Sequence, residues 1–244
     1  MWFGYLGYGL KNELEVLSEE CEGFLQFPAL WFLKFKRILR FDHREKQCLL
    51  WTQEGVEMEM PSPMIVCGEA PISKVKSLHT TMDKSVYMDK VNEILEAICR
   101  GDLYQANVTR KCVGEFEAPG DPFDLFSQLC KHSPAPYSSF LRLRDRAILS
   151  SSPEQFLQME ASGHSWSRPI KGSAPRHQDP IQDQILQKQL EKSEKDRAEN
   201  LMIVDLMRHD FSRGATIGSV MVEDLFKVTS YEHIHHMAST VKAE

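Results

Sequence analysis

Apolar residues repeat along this chain at two periods, and the period changes near residue 81. Before it, Trp31, Leu33 and Phe35 fall at alternate positions, the signature of a half-buried strand. Pro28 to Phe41 and Gln47 to Trp51 therefore predict a hairpin, turned by Asp42-His43-Arg44-Glu45. The opening Trp-Phe-Gly-Tyr-Leu-Gly-Tyr-Gly reads as strand and turn. Residues 53–80 carry Pro61, Pro63 and Pro71 with few periodic apolar positions, and predict a loop or linker. From Asp83 to Arg100 the spacing is helical: Tyr87, Val91, Ile94, Leu95 and Ile98 share a face, and Gly101 ends the run. Leu103 to Val113 predicts a strand. Pro122 to Cys130 predicts a short helix, stopped by Ser133-Pro134-Ala135-Pro136. Strands follow at about 138–143, 147–152, 155–160 and 165–171, then a helix marked by Ile181, Ile185 and Leu190. Ser193 and Asp196 form a capping-box pattern for a helix over 194–209, and 217–228 returns to strand. Hairpins with interspersed helices, lacking a regular β-α-β alternation, predict an α+β fold of antiparallel sheets with flanking helices. Residues 1–80 form one region of strands and linker, and residues 81–244 a second.

Charge and cysteine usage narrow the function. The 244 residues hold 29 basic and 35 acidic side chains, a net −6, which argues against a general nucleic-acid binder. No run approaches the ~18 apolar residues that span a bilayer. No basic-then-apolar leader opens the chain; the expectation is a cytoplasmic protein off the membrane, with an organellar address upstream of Met1 as the open alternative. The six cysteines are scattered without a Cys-x-x-Cys pair, predicting free thiols.

Three groups of side chains could carry chemistry. A turn centred on Ser162-Gly163 sets Glu154 directly opposite Lys171, with Cβ atoms about 4.5–5.5 Å apart. That pair reads either as a cross-strand salt bridge or as a nucleophile beside its acid. The helix over 194–209 is apolar on every face at its centre, which predicts burial, and Glu199 shares a face with Met202, Ile203 and Leu206. A buried carboxylate there pairs internally with Arg197 or Arg208, or binds a metal. His233, His235 and His236 lack zinc spacing; one is expected at a site, and the others in solvent or core.

Taken in order, five segments resemble one family. They are Gly101-Asp102-Leu103-Tyr104-Gln105-Ala106-Asn107, Ser152-Pro153-Glu154, Pro169-Ile170-Lys171-Gly172-Ser173, the run from Asp196 to Leu206, and Gly218-Ser219-Val220. Together they resemble the chorismate-utilising enzymes, the large subunits of anthranilate synthase and aminodeoxychorismate synthase, over residues 2–241. The resemblance implies that family's α+β fold, with 81–244 the first part of its catalytic domain. Lys171 points to the aminodeoxychorismate synthase branch, because anthranilate synthases usually carry alanine there. It implies that the Lys171 amine attacks C2 of chorismate, with Glu154 as general acid/base at the departing C4 hydroxyl. Glu199 would help hold Mg²⁺, and Gly172, Ser173 and His236 would line the ring site. His233 and His235 stay ordinary residues. The implied partners are chorismate and a glutamine amidotransferase, subunit or fused domain, supplying ammonia.

Departures from the family pattern are small inside the chain: Ser173 replaces threonine, Gln155 arginine and His209 asparagine. The ends differ more. The resemblance implies a section before Trp2 and a glycine-rich section after Glu244 that carries a second metal-binding glutamate. The expectation is therefore a fragment, incomplete at both ends. The alternatives are an anthranilate synthase component and an inactive remnant.

Overall fold

The computed structural model describes residues 1–16, 27–56, 74–118 and 120–244. The chain divides into two compact units, Met1–Gly68 and Glu69–Glu244. Cys21, Cys67 and the prolines at 61, 63 and 71 lie outside the described residues; Cys48, Cys99, Cys112 and Cys130 are free thiols.

In the first unit β1 (Trp2–Leu6) precedes a short helix α1 (Lys11–Leu14) and pairs antiparallel with β2 (Leu30–Lys34). The predicted long strand breaks at Phe35-Lys36. Its second half, β3 (Arg37–Asp42), forms the expected hairpin with β4 (Gln47–Thr52). Asp42 closes the turn, its Oδ1 accepting the Arg44 and Glu45 N–H groups at 3.1 and 3.0 Å.

The second unit opens with β5 (Val75–Thr80), which lies inside the predicted linker. Every residue of β5 is exposed, so no apolar alternation marks it. Its partner is β6 (Cys112–Phe116), at the end of the predicted strand 103–113. Most of that segment is irregular because it runs beside α2 (Lys84–Arg100), where the Tyr87 hydroxyl donates to the Val108 carbonyl. Gly101 ends α2 in the left-handed conformation, φ 81°. Helix α3 (Pro122–His132) is capped by Asp121, and β7 (Ser139–Leu143) and β8 (Arg146–Ser150) form a hairpin.

The main sheet has five strands. β9 (Gln155–Met159) pairs with β10 (Ser165–Arg168), and β10 and β11 (Ile170–Pro175) both pair with β13 (Ile234–Ala243). β12 (Met221–Ser230) flanks β13 on its other side. Pro169 splits the predicted strand 165–171 into β10 and β11, since proline brings no N–H to a ladder. Helices α4 (Pro180–Lys192) and α5 (Glu194–Ser212) pack against this sheet, and Ser193 caps α5 by accepting the Asp196 N–H at 3.3 Å.

β13 holds most of the core. Met237 and Val241 are fully buried, with Val204 of α5 and Leu190 of α4 against the same sheet. Two buried polar side chains of β13, His235 and Ser239, are paired. Ser239 Oγ donates to Asn200 Oδ1 and accepts the Phe226 N–H; His235 lies 3.0 Å from Asp183 and 2.8 Å from Ser230. Asp183 can only accept, so His235 Nε2–H donates to it and in the neutral ring Nδ1 accepts from the Ser230 hydroxyl. Asp183 also receives Arg176 through two nitrogens and the His177 N–H. These donors, Arg176 first, hold the Asp183 carboxyl well below the usual carboxylate range.

Candidate active site

The expected Glu154–Lys171 pairing is displaced. The turn runs from Glu160 to His164, setting Ser165 against Met159 and Trp166 against Gln158, with a register shift before Arg168 meets Gln155. That is one residue off a turn centred on Ser162-Gly163, and Lys171 lies past Pro169 on β11, whose partner is β13. Glu154 reaches the strand differently: its Oε1 accepts the Ile170 N–H at 3.1 Å. The carboxylate is thereby held at the residue before Lys171.

Lys171 and Gly172 sit where the β11–β13 register shifts, between Ile170 opposite Ala238 and Ser173 opposite His236. The Lys171 carbonyl accepts a long hydrogen bond, 3.5 Å, from Asn200 Nδ2 of α5. Its ammonium makes no hydrogen bond or ion pair with the described residues, and the residue is half-buried. Gly172 has φ +95°, and a Cβ there would lie 2.9 Å from the Asp196 Cβ. Only glycine meets both conditions without strain.

Ser173 Oγ lies 2.8 Å from His236 Nδ1, and the Tyr231 ring meets the imidazole edge-on at 5.7 Å. Burial pushes the His236 pKa down, and the nearby Glu154 charge partly offsets it. His236, Ile170 and Ala238 line a cavity of about 90 Å³ with Pro136, Tyr137 and Arg168. Such a space is below the ~300–1,000 Å³ of usual ligand pockets, so a ring-bearing substrate requires it to open. The other histidines follow expectation: His235 is buried in the core, and His233 lies exposed beside Glu232 at 3.8 Å.

Glu199 stands apart. It pairs loosely with Lys195 at 3.9 Å, not with Arg197, which stacks over Phe226, or Arg208, which bonds Asp205. α5 is also less enclosed than its apolar sequence predicts. Asn200 and Val204 are buried, while Leu201, Met202 and Leu206 are exposed. Glu199 lines a cleft with α2, whereas His236 lines the cavity described above. Among the described residues no group of three or more His, Cys, Asp or Glu side chains could hold a metal. One carboxylate with an ammonium nearby does not make a magnesium site.

Arg168 and Tyr231, which line the cavity beside His236, escaped the sequence reading. No described helix is long and apolar enough to cross a membrane.

The sequence profile described as chorismate binding enzyme matches residues 1–244. Aminodeoxychorismate synthase component 1 from Klebsiella aerogenes is 36% identical over 244 residues, covering 98% of this chain and 53% of that protein. Anthranilate synthase component 1 from Bacillus subtilis is 36% identical over 168 residues, 68% of this chain and 32% of that one. Anthranilate synthase component I from Streptococcus pneumoniae superposes with a TM-score of 0.84 at 22% identity, covering all of this chain and 57% of that structure. That superposition shows the fold alone, and the chain spans about half the length of the curated relatives it matches.

Proposed function

Because the chain belongs to the chorismate-binding enzyme family, we propose that it carries aminodeoxychorismate synthase chemistry, the amination of chorismate to 4-amino-4-deoxychorismate. Ammonia would come from a glutamine amidotransferase subunit or domain. The observation that carries this reading is Lys171, an ammonium without an ionic partner among the described residues, in a segment where the anthranilate synthases usually have alanine. The 36% identity to the Klebsiella aminodeoxychorismate synthase component supports it.

In this reading Lys171, once deprotonated, forms a C–N bond to C2 of chorismate. Both ring double bonds shift, C1=C2 to C1=C6 and C5=C6 to C4=C5, and the C4–O bond breaks. Glu154 protonates the departing hydroxyl, which leaves as water. Ammonia then bonds to C4, both double bonds return, and the Lys171 amine is expelled from C2. Glu154 takes up the proton that the incoming nitrogen sheds. The Ile170 N–H orients the Glu154 carboxylate for both transfers. Ser173 and His236 provide a polar edge for the substrate ring.

The test is product identity. Chorismate and ammonium are incubated with residues 1–244, alone and fused to the part of the Klebsiella relative that the chain does not match. Products are separated by chromatography and weighed by mass spectrometry. 4-Amino-4-deoxychorismate, with a substrate adduct on the Lys171 peptide that Lys171→Ala abolishes, is the expected result. Anthranilate as the main product would replace this reading with the anthranilate synthase one, which the Bacillus relative favours.

A further inference from the structure

Three polar side chains between the main sheet and α4 take no part in the proposed chemistry. A short turn joins β12 to β13, where the Tyr231 N–H donates to the Ile234 carbonyl at 2.8 Å, and Ser230 lies directly opposite His235. Directly opposed residues of an antiparallel pair share a face, so both side chains stand on one side of the hairpin. Ser230 Oγ lies 2.8 Å from His235 Nδ1, and His235 Nε2 lies 3.0 Å from Oδ1 of Asp183 in the first turn of α4. Arg176 holds Asp183 in place and also donates to the Tyr231 carbonyl, which pins the strand end that carries Ser230.

The order of burial sets this row apart from a core network that merely satisfies its own members. His235 has no exposed surface, whereas Ser230 is exposed. The row therefore runs from an ion pair, through a dry imidazole, to a hydroxyl that reagents reach. Asp183 stays ionised far below neutral pH because Arg176 and the His177 N–H bind its oxygens. The carboxylate keeps the ring proton on Nε2 and leaves Nδ1 free to accept from the Ser230 hydroxyl. A nucleophile bonded to a base, with the base oriented by a third group, is the arrangement that activates a serine. The next residue, His236, lines the cavity on the other face of the strand, so the two histidines serve separate places.

We infer that Ser230 is a nucleophilic serine that accepts acyl groups from activated esters, with His235 as its base and Asp183 as the positioning residue. Ser230 Oγ bonds to the ester carbonyl carbon while its proton passes to His235 Nδ1. The bond from that carbon to the leaving oxygen breaks, and the proton goes from Nδ1 to that oxygen. Water then attacks the acyl-serine in the same way, which releases the carboxylic acid and restores the hydroxyl. Two features define the substrate class. Ser230 lies on open surface, outside the spaces lined by His236 and by Glu199, so it offers no enclosing grip on a long acyl chain. Arg176 shares the Asp183 carboxylate and weakens its support for an imidazolium. Both favour small esters with good leaving groups.

The test is labelling of residues 1–244 with a fluorophosphonate ester, whose phosphorus stands in for the carbonyl carbon and whose fluoride leaves. The expected result is a single label, mapped by peptide mass spectrometry to Ser230 and lost when the chain is unfolded in urea. Ser230→Ala, at an exposed position, should keep the far-ultraviolet dichroism of the chain and lose the label. Asp183→Asn should slow labelling of the folded chain at least tenfold, since an amide carries no charge to support the imidazolium. The chain should also release p-nitrophenolate from p-nitrophenyl acetate faster than Ser230→Ala does, and prior phosphonylation should remove the excess. No label, a label at another residue, or no such excess would overturn the inference. A Ser230 label indifferent to Asp183→Asn would overturn it too, because an unassisted surface hydroxyl would then account for it. The readout needs neither chorismate nor Lys171, so it stands or falls separately from the identity of the reaction product.

Discussion

Ser173 and His236 face each other across β11 and β13, with Oγ and Nδ1 2.8 Å apart. The contact fixes the imidazole at the edge of the cavity lined by Tyr137, Ile170 and Ala238. It also gives His236 a measurable signature. Its pKa lies below the usual histidine value because burial disfavours the imidazolium, and Glu154 opposes that shift.

An NMR titration of the His236 ring should therefore give a midpoint below 6.5, and Glu154→Gln should lower it further. The stability consequence has a definite sign. The folded state binds fewer protons than the unfolded one in this window, so stability rises with pH up to the unfolded value. The contribution is lost as pH falls through the depressed folded pKa. A midpoint that rises in Glu154→Gln would contradict the assignment.

Gly172→Ala should destabilise the second unit by about 2 kcal/mol or more in urea. The residue must keep φ near +95°, and its new Cβ would crowd Asp196. Asp196→Gly in the same chain, compared with Asp196→Gly alone, should recover only part of the loss, because it removes the crowding and not the backbone strain. Full recovery would show that crowding alone excludes a side chain.

Asp183 sets an acid limit. Its folded pKa is depressed, so its contribution is complete above the unfolded carboxylate value of 3.8 and fades as pH falls through the folded one. Asp183→Asn should lower stability at pH 7 and flatten the dependence on acid, followed by thermal unfolding from pH 7 to pH 2. Parallel curves for the two proteins would place the acid sensitivity elsewhere.

Magnesium should bind residues 1–244 weakly. Glu199 offers one carboxylate, and calorimetry at neutral pH should give a dissociation constant in the millimolar range that Glu199→Gln barely alters. Stoichiometric micromolar binding would reveal a complete ligand set.

Much of this architecture was legible in the residues, and the failures share a cause. Helices α2, α3, α4 and α5 announce themselves by periodic apolar residues and by their caps, Gly101 and Ser193 among them. β13 gave no such signal, since His235, Ser239 and Thr240 are buried polar residues within it. Hydrophobic periodicity cannot register a strand whose burial is made tolerable by hydrogen bonds. The Glu154–Lys171 relation failed for a smaller reason. Pro169 ends the ladder on which the pairing arithmetic depended, and the register is one residue off the one assumed. The five family segments located the residues nonetheless; their grouping came only from the sheet, which sets Glu154, Ser173 and His236 together and leaves Glu199 in another cleft.

The polar residues of β13 have a consequence for folding fidelity. A central strand with small or apolar side chains on both faces can slide by two positions and still bury the same kinds of surface. Here such a slide would separate Ser239 from Asn200, His235 from Asp183 and His236 from Ser173 together. At about 1 kcal/mol or more for each partner orphaned in the core, the misaligned sheet would start a few kcal/mol behind, while exposed Ser173 would find water instead. The three contacts act as a lock with one fitting position, and that position is the one that turns His236 toward the cavity.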